Sequence, residues 1–360
     1  MSLLVASRRL ALSMLVGGAL VAACDGGSGA PDADDGAAPD ADVAPGPDSD
    51  PNDGDAADAT TDADATTDTG PDAAPDAGVA PSCPAGSGEG PLGGARPTAL
   101  KIPAGYDPSR SYPLVIELHG RGARGIDAEH VFEMGVMADD YGLFVMAPDG
   151  TLDEPPPPTE PATFWNATDG CCNFYGSTVD DVAYLRSLIC HTQANYSIDP
   201  NRVYVIGQSN GGFMAHRLAC DASDLVTAII SIAGVTWLDP TNCRPTHPVS
   251  VLQIHGTADT VVWFDGMDAL APGPTPSAPA TYETWAQLNG CAGPDEAGPV
   301  VDFDESVAGN ETITVFKPLS DTCRVRTEFW TVVGGGHAPS TTDFTKLFFL
   351  TWFLATPPNH

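Results

Sequence analysis

The chain is poor in positive charge, with 15 Lys and Arg against 48 Asp and Glu in 360 residues. That imbalance argues against a nucleic-acid partner, because phosphate binding needs clustered cations. No apolar run reaches the ~20 residues that a membrane-spanning helix requires. The segment Leu10 to Ala23 stops at 14 residues and is broken by Ser13, Gly17 and Gly18. No Cys-x-x-Cys pair occurs, so the common zinc spacing is missing and neither a metal nor an organic cofactor is expected. From Cys24 to Ser82 there is no Lys, Arg, Glu or aromatic residue at all, which leaves too little apolar surface to offset ordering entropy.

What is present at the N-terminus fits export. Arg8 and Arg9 precede the short apolar run, as in a signal peptide spanning residues 1–23. The run ends Leu20-Val21-Ala22-Ala23-Cys24, which resembles a bacterial lipobox. That resemblance implies lipid on Cys24, attachment to a membrane or cell surface through it, and release into the medium when it is absent. The alternative is an ordinary signal peptide cut at the same bond. Residues 24–82 hold 16 Asp and read as a disordered linker. As a flexible coil such a segment spans roughly 45 Å. Its Asp-x-Asp pairs lack the bidentate Glu of a calcium loop and read as solvated charge. Residues 83–360 then form one domain, with 32 acidic and 13 basic side chains. A neutral substrate, small or polymeric, suits that surface best.

With Cys24 assigned to lipid, eight cysteines remain: Cys83, Cys171, Cys172, Cys190, Cys220, Cys243, Cys291 and Cys323. An even set in an exported chain implies disulfides, although eight cysteines admit about 105 pairings.

Short β-branched runs alternate with helical patterns after Cys83. Residues 114–118, 143–147, 203–206, 228–232, 249–254 and 327–333 read as strands buried on both faces. Helices are expected over 180–196, 210–220, 279–289 and 343–354; in the first, Val182, Leu185, Leu188 and Ile189 share one face. The alternation predicts an α/β fold with a mostly parallel, doubly wound sheet. Residues 151–178, with four consecutive prolines and then Phe164-Trp165-Asn166, fit neither element and read as an ordered excursion over the strand ends. A surface loop whose aromatics cap the core is the competing reading.

Gly207-Gln208-Ser209-Asn210-Gly211 is a G-x-S-x-G motif placed between a strand and a helix, a context that lifts a serine hydroxyl clear of the sheet. A serine needs a base held by a third group, and with this turn the chain order is nucleophile, acid, histidine. Asp259 stands after a strand, with Asp265 and Asp268 as fallbacks, and only His337 and the terminal His360 follow it. His337 comes after Gly334-Gly335-Gly336, a loop able to turn an imidazole back towards Ser209. His255 reads as a packed strand-end residue. An oxyanion needs two N–H donors, expected from the Asn210 amide and from Arg121 or Gly120 after the first strand. His119 in that loop reads as a packing residue.

Residues 114–120, 179–182, 198–212 (IDPNRVYVIGQSNGG), 254–262 (IHGTADTVV), 289–291 and 334–337 (GGGH) resemble, in order, the extracellular poly(3-hydroxybutyrate) depolymerase and feruloyl esterase group, which overlaps carbohydrate esterase family 1. The resemblance implies a single α/β-hydrolase domain, a catalytic triad on Ser209, Asp259 and His337, and disulfides Cys220–Cys243 and Cys291–Cys323. Cys83, Cys171, Cys172 and Cys190 would then pair among themselves, with a vicinal Cys171–Cys172 bond as one option. Depolymerase-like members often carry Trp-Pro just after the histidine; here Ala338-Pro339-Ser340 follows. Feruloyl or acetyl esters of plant polysaccharide are therefore expected ahead of polyhydroxybutyrate. Trp165 and Trp263 are candidates to line the acyl pocket, with a core position as the alternative for each. A non-catalytic surface-binding lipoprotein on a hydrolase scaffold would be expected to lack a triad member, and none is missing.

Overall fold

The computed structural model describes residues 83–268, 273–309 and 311–358. The signal segment 1–23, Cys24, the linker and His360 lie outside the described residues. The described residues all fall within one compact unit.

The frame is an eight-stranded sheet. In chain order its strands are β1 (Tyr112–Leu118), β2 (Phe144–Met146), β5 (Ile198–Gln208), β6 (Ala228–Ile232), β7 (Ser250–Gly256), β8 (Glu296–Ala297), β9 (Thr312–Phe316) and β10 (Thr327–Val332). Their spatial order is β2-β1-β5-β6-β7-β10-β9-β8. The pairs from β2 through β10 are parallel, and β9 and β8 close one edge antiparallel. A small hairpin, β3 (Thr151–Leu152) with β4 (Thr163–Phe164), stands apart from it.

Burial explains the predominantly apolar strands. All seven residues of β1 and of β7 are buried, and each large aliphatic side chain so placed contributes roughly 1.5–3 kcal/mol. Along β5, Val203 and Val205 join one core layer while Tyr204 and Ile206 join the other, as a period of two requires. Six helices cover the faces: α1 (Gly125–Phe132), α2 (Met134–Tyr141), α3 (Asp181–Asn195), α4 (Asn210–Asp221), α5 (Ala278–Leu288) and α6 (Asp343–Leu354). Buried side chains of α3, α4 and α5 fill the first layer and those of α1, α2 and α6 the second. Helix starts follow local chemistry. Asp180 caps α3 through the Ala183 N–H at 2.9 Å, and Ser277 caps α5 through the Ala280 N–H at 3.1 Å.

Helices α1 and α2 have no counterpart in the sequence reading. Each spans eight residues, and Glu133 separates them in a left-handed conformation at φ 54°. Two turns carry too few apolar residues to reveal a period. The antiparallel edge strands β8 and β9 were equally illegible, because β8 is two exposed residues and β9 alternates with polar threonines.

Four disulfides account for every cysteine from Cys83 onward: Cys83–Cys190, Cys171–Cys172, Cys220–Cys243 and Cys291–Cys323. The two local pairs match the expected pairing, and the vicinal bond is present.

Candidate active site

Strand β5 ends at Gln208 and α4 begins at Asn210, so Ser209 is the single residue of the turn. Its backbone is left-handed at φ 56°, which points the side chain away from the sheet. The flanking glycines are steric necessities. A Cβ on Gly207 would stand 2.2 Å from the Gly211 carbonyl oxygen, and one on Gly211 would stand 2.1 Å from that of Leu118.

Asp259 follows β7, and His337 follows β10, the neighbouring parallel strand. Their loops are tied backbone to backbone: the Ala258 N–H donates to Gly335 O at 2.9 Å and the Thr257 N–H to Val332 O at 2.9 Å. Gly256 lets them approach, since a Cβ there would meet Gly335 O at 2.2 Å. Gln208, beside the serine, donates its side-chain amide to the His337 carbonyl at 2.9 Å. Three segments distant in sequence thus converge above the carboxyl ends of β5, β7 and β10.

The Ser209 hydroxyl lies 2.8 Å from His337 Nε2, and His337 Nδ1 lies 2.8 Å from Asp259 Oδ2. The Asp259 side chain is fully buried. Burial alone would raise its carboxyl, but hydrogen bonds from His255 and His337, the charge of His337 and the Val261 N–H hold it well below the ordinary carboxylate range. The group is therefore an anion that accepts the His337 Nδ1–H, which leaves Nε2 free to accept the serine proton. The fallback acids Asp265 and Asp268 are exposed on the surface.

The expected oxyanion donors also converge. Gly120 sits so close that a Cβ there would be 3.4 Å from Ser209 Cβ. The Gly122 N–H is spent on Thr163 O at 2.8 Å, whereas the Gly120, Arg121 and Asn210 amides donate to no backbone or side-chain acceptor among the described residues. His119 is buried with both ring nitrogens engaged: Nδ1 donates to Gly120 O at 2.7 Å, and Nε2 accepts from the Gly150 N–H at 2.8 Å. Burial pushes its pKa down, so it stays neutral and shapes the loop.

Trp165 corrects one sequence expectation. It is fully buried, its indole N–H donates to His119 O at 3.1 Å, and it touches no solvent through which a substrate might reach it. Residues 151–178 are an ordered excursion in which Phe164 and Trp165 belong to the core while Phe174 and Tyr175 stay exposed, so the two readings of the segment each hold in part. Trp263 is 49% exposed and lies four residues after Asp259, compatible with lining the site. Sequence reasoning missed Phe174 and Tyr175. Both are exposed, and the Arg121 guanidinium of the oxyanion loop sits 4.9 Å from the Phe174 ring centre. Among the described residues no group of three or more His, Cys, Asp or Glu is arranged to hold a metal ion.

Residues 173–290 match the family model described as the alpha/beta hydrolase fold. NocK of Nocardia uniformis subsp. tsuyamanensis, which carries an esterase name, is 29% identical over 68% of this chain and 68% of its own. Feruloyl esterase B of Piromyces equi is 27% identical over 71% of this chain, a match that spans 46% of that longer protein. Feruloyl esterase C of Emericella nidulans is 27% identical over 57% of this chain and 66% of its own. Among solved structures, an acetyl xylan esterase from Aspergillus awamori overlays with a TM-score of 0.48 at 15% identity, covering 71% of this chain and 93% of that one. Sheet order, the strand–serine–helix turn and the matched segment agree: the chain has the α/β-hydrolase fold and is similar to proteins named as esterases.

Proposed function

We propose that the protein is an exported serine esterase, anchored by lipid on Cys24, that cleaves feruloyl or acetyl esters of plant polysaccharide through an acyl-enzyme. The observation that carries this reading is the unbroken hydrogen-bond path from Ser209 Oγ through His337 to the buried Asp259 anion.

The chemistry follows from the geometry. Ser209 Oγ attacks the ester carbonyl carbon while its proton passes to His337 Nε2. The amides of Asn210 and of Arg121 or Gly120 hold the oxyanion of the tetrahedral intermediate. The ester C–O bond then breaks, and the imidazolium returns its proton to the departing alcohol. Water attacks the acyl-enzyme by the same route and releases the acid. Asp259 orients the imidazole throughout and stabilises its cation.

Substrate class is inferred from the rim. Exposed Phe174, Tyr175, Val261 and Trp263 offer apolar surface around a site in an acidic domain, which suits a neutral or aromatic acyl group. The names of the Piromyces and Emericella relatives support a feruloyl ester. Pro339 stands where polyester-degrading enzymes often carry tryptophan, so polyhydroxybutyrate ranks second. Export is supported by the four disulfides, which use every cysteine except Cys24.

The test is turnover of p-nitrophenyl acetate by the full chain and by Ser209→Ala, followed by methyl ferulate, acetylated xylan and polyhydroxybutyrate film. Equal turnover by the two proteins would end the esterase reading. Activity on the polyester film alone would transfer the substrate to the second candidate.

A further inference from the structure

Behind the triad runs a second set of polar side chains, all buried, whose donors point one way. It begins at Trp285 on α5. Its indole Nε1–H can only donate, and it does so to His216 Nδ1 at 2.9 Å. Burial pushes the His216 pKa down to about 4, so the ring is neutral at ordinary pH and carries its one proton on Nε2. That proton goes to Gln253 Oε1 at 2.9 Å. The orientation of the Gln253 amide is thereby fixed, with Nε2 donating to Gly234 O at 2.8 Å and facing His255 Nδ1 at 3.4 Å. His255 must then accept at Nδ1 and donate at Nε2. Its Nε2 indeed faces two acceptors, Val262 O at 2.8 Å and Asp259 Oδ2 at 3.3 Å.

Donors surround the acid. Asp259 Oδ1 accepts the N–H groups of Val261 and Val262 at 2.8 and 2.9 Å. Oδ2 accepts from His337 and faces His255. An ionised carboxylate has about four acceptor positions; three accept hydrogen bonds here, and the fourth faces His255 Nε2 at 3.3 Å, whose shorter contact is to Val262 O at 2.8 Å. Trp285, His216 and Gln253 are 0% exposed and His255 is 1% exposed, so water does not compete for these bonds. A chain of such bonds in a low-dielectric interior reinforces itself.

We propose that His255 is a positioning residue for the triad acid: locked as its Nε2–H tautomer by the Trp285–His216–Gln253 chain, it shares Asp259 Oδ2 with His337 and fixes both the direction and the basicity of that carboxylate. The inference rests on the serine-esterase reading of Ser209, His337 and Asp259. The ionisable groups that face His255 are His216, Asp259 and His337, and the Phe264 ring packs edge-on against it at 6.0 Å.

The consequence has a sign. Removing the His255 donor leaves Asp259 Oδ2 with more of its charge for the imidazolium that forms at His337 during turnover. In His255→Phe the acid limb of the kcat/KM profile should therefore move up by about half a pH unit. A less firmly oriented carboxylate should lower kcat roughly tenfold, the equivalent of one charge-assisted hydrogen bond, with KM within about twofold of the parent. His255→Gln, whose amide nitrogen reaches about where Nε2 stood, should recover most of both.

The experiment measures pH profiles of p-nitrophenyl acetate hydrolysis for the full chain, His255→Phe, His255→Gln and Ser209→Ala. An active Ser209→Ala would overturn the esterase reading itself. An inert Ser209→Ala together with an unmoved acid limb in His255→Phe would overturn this inference alone. Should His255→Phe not fold, ¹⁵N spectra of the histidines in the parent protein decide. A neutral His255 protonated on Nε2 supports the lock, and protonation on Nδ1 refutes it.

Discussion

The side chain of Asn210 grips both backbone groups of Trp165. Its Oδ1 accepts the Trp165 N–H at 2.7 Å, and its Nδ2 donates to the Trp165 carbonyl at 3.0 Å. The residue proposed to offer its backbone amide to the oxyanion thus also clasps the 151–178 excursion. In Asn210→Ala the backbone amide survives but the buried Trp165 N–H loses its partner, while the Trp165 carbonyl keeps the Ala167 N–H at 2.9 Å, at a cost of about 1–3 kcal/mol. The expected outcome is a protein that unfolds at lower urea and still hydrolyses p-nitrophenyl acetate measurably better than Ser209→Ala. Unchanged urea stability would show that the clasp is not formed.

The glycines about Ser209 separate close packing from conformational freedom. Gly207→Ala and Gly211→Ala each drive a methyl into a backbone carbonyl oxygen within 2.2 Å, so neither variant should yield soluble, active protein. Gly122 and Gly176 have positive φ, but no atom lies within 4 Å of the place a methyl would take. Alanine there should cost only about 1–2 kcal/mol and leave turnover near the parent value. Expression, melting temperature and turnover of the four variants check the contrast.

Glu117, in the middle of the sheet, is fully buried, with Oε1 accepting the Met134 N–H at 3.0 Å. Burial pushes its pKa up to about 8 despite that hydrogen bond, with Glu129 and Glu133 adding to the rise. The folded protein therefore keeps a proton that the unfolded chain releases above about 4.5, and this group's contribution to stability declines as pH rises from there to about 8. Glu117→Gln, uncharged at every pH, should remove that slope. Urea midpoints at pH 5 and pH 8 for the two proteins read it directly; an identical slope in both would show that Glu117 is not the source.

Cys83–Cys190 ties the start of the described domain to α3 across 107 residues of sequence. Loop-closure entropy assigns a bond of that span about 4–5 kcal/mol. Cys83→Ser/Cys190→Ser should lose much of that stability in urea while its turnover at 25 °C stays near that of the parent, because neither cysteine touches the triad. A loss of activity without a loss of stability would place the bond closer to the site than it is.

The parts legible in the sequence were those with strong local signals. β1, β6 and β7 announced themselves as nearly continuous runs of apolar and β-branched residues because both faces of the sheet are buried there. Ser209, Asp259 and His337, which the structure brings together, could be singled out because chain order leaves few candidates and because glycines mark the points where backbones must touch. The illegible parts depend on contacts between distant residues. Trp165 looks the same in sequence whether it lines a pocket or fills the core, and only the Asn210 clasp and the His119 carbonyl decide it. His255 read as a packed strand-end residue, which it is, but its two acceptors and the buried chain behind it come from β7, α4 and α5 together. Short α1 and α2 carry no period long enough to see.

The measurement that tests the central claim most directly is covalent trapping. Treating the full chain with a fluorophosphonate and mapping the adduct by peptide mass spectrometry should place a single modification on Ser209, slowed strongly in His337→Ala and abolished in Ser209→Ala. An adduct on another residue, or undiminished ester hydrolysis after Ser209 is blocked, would contradict the account.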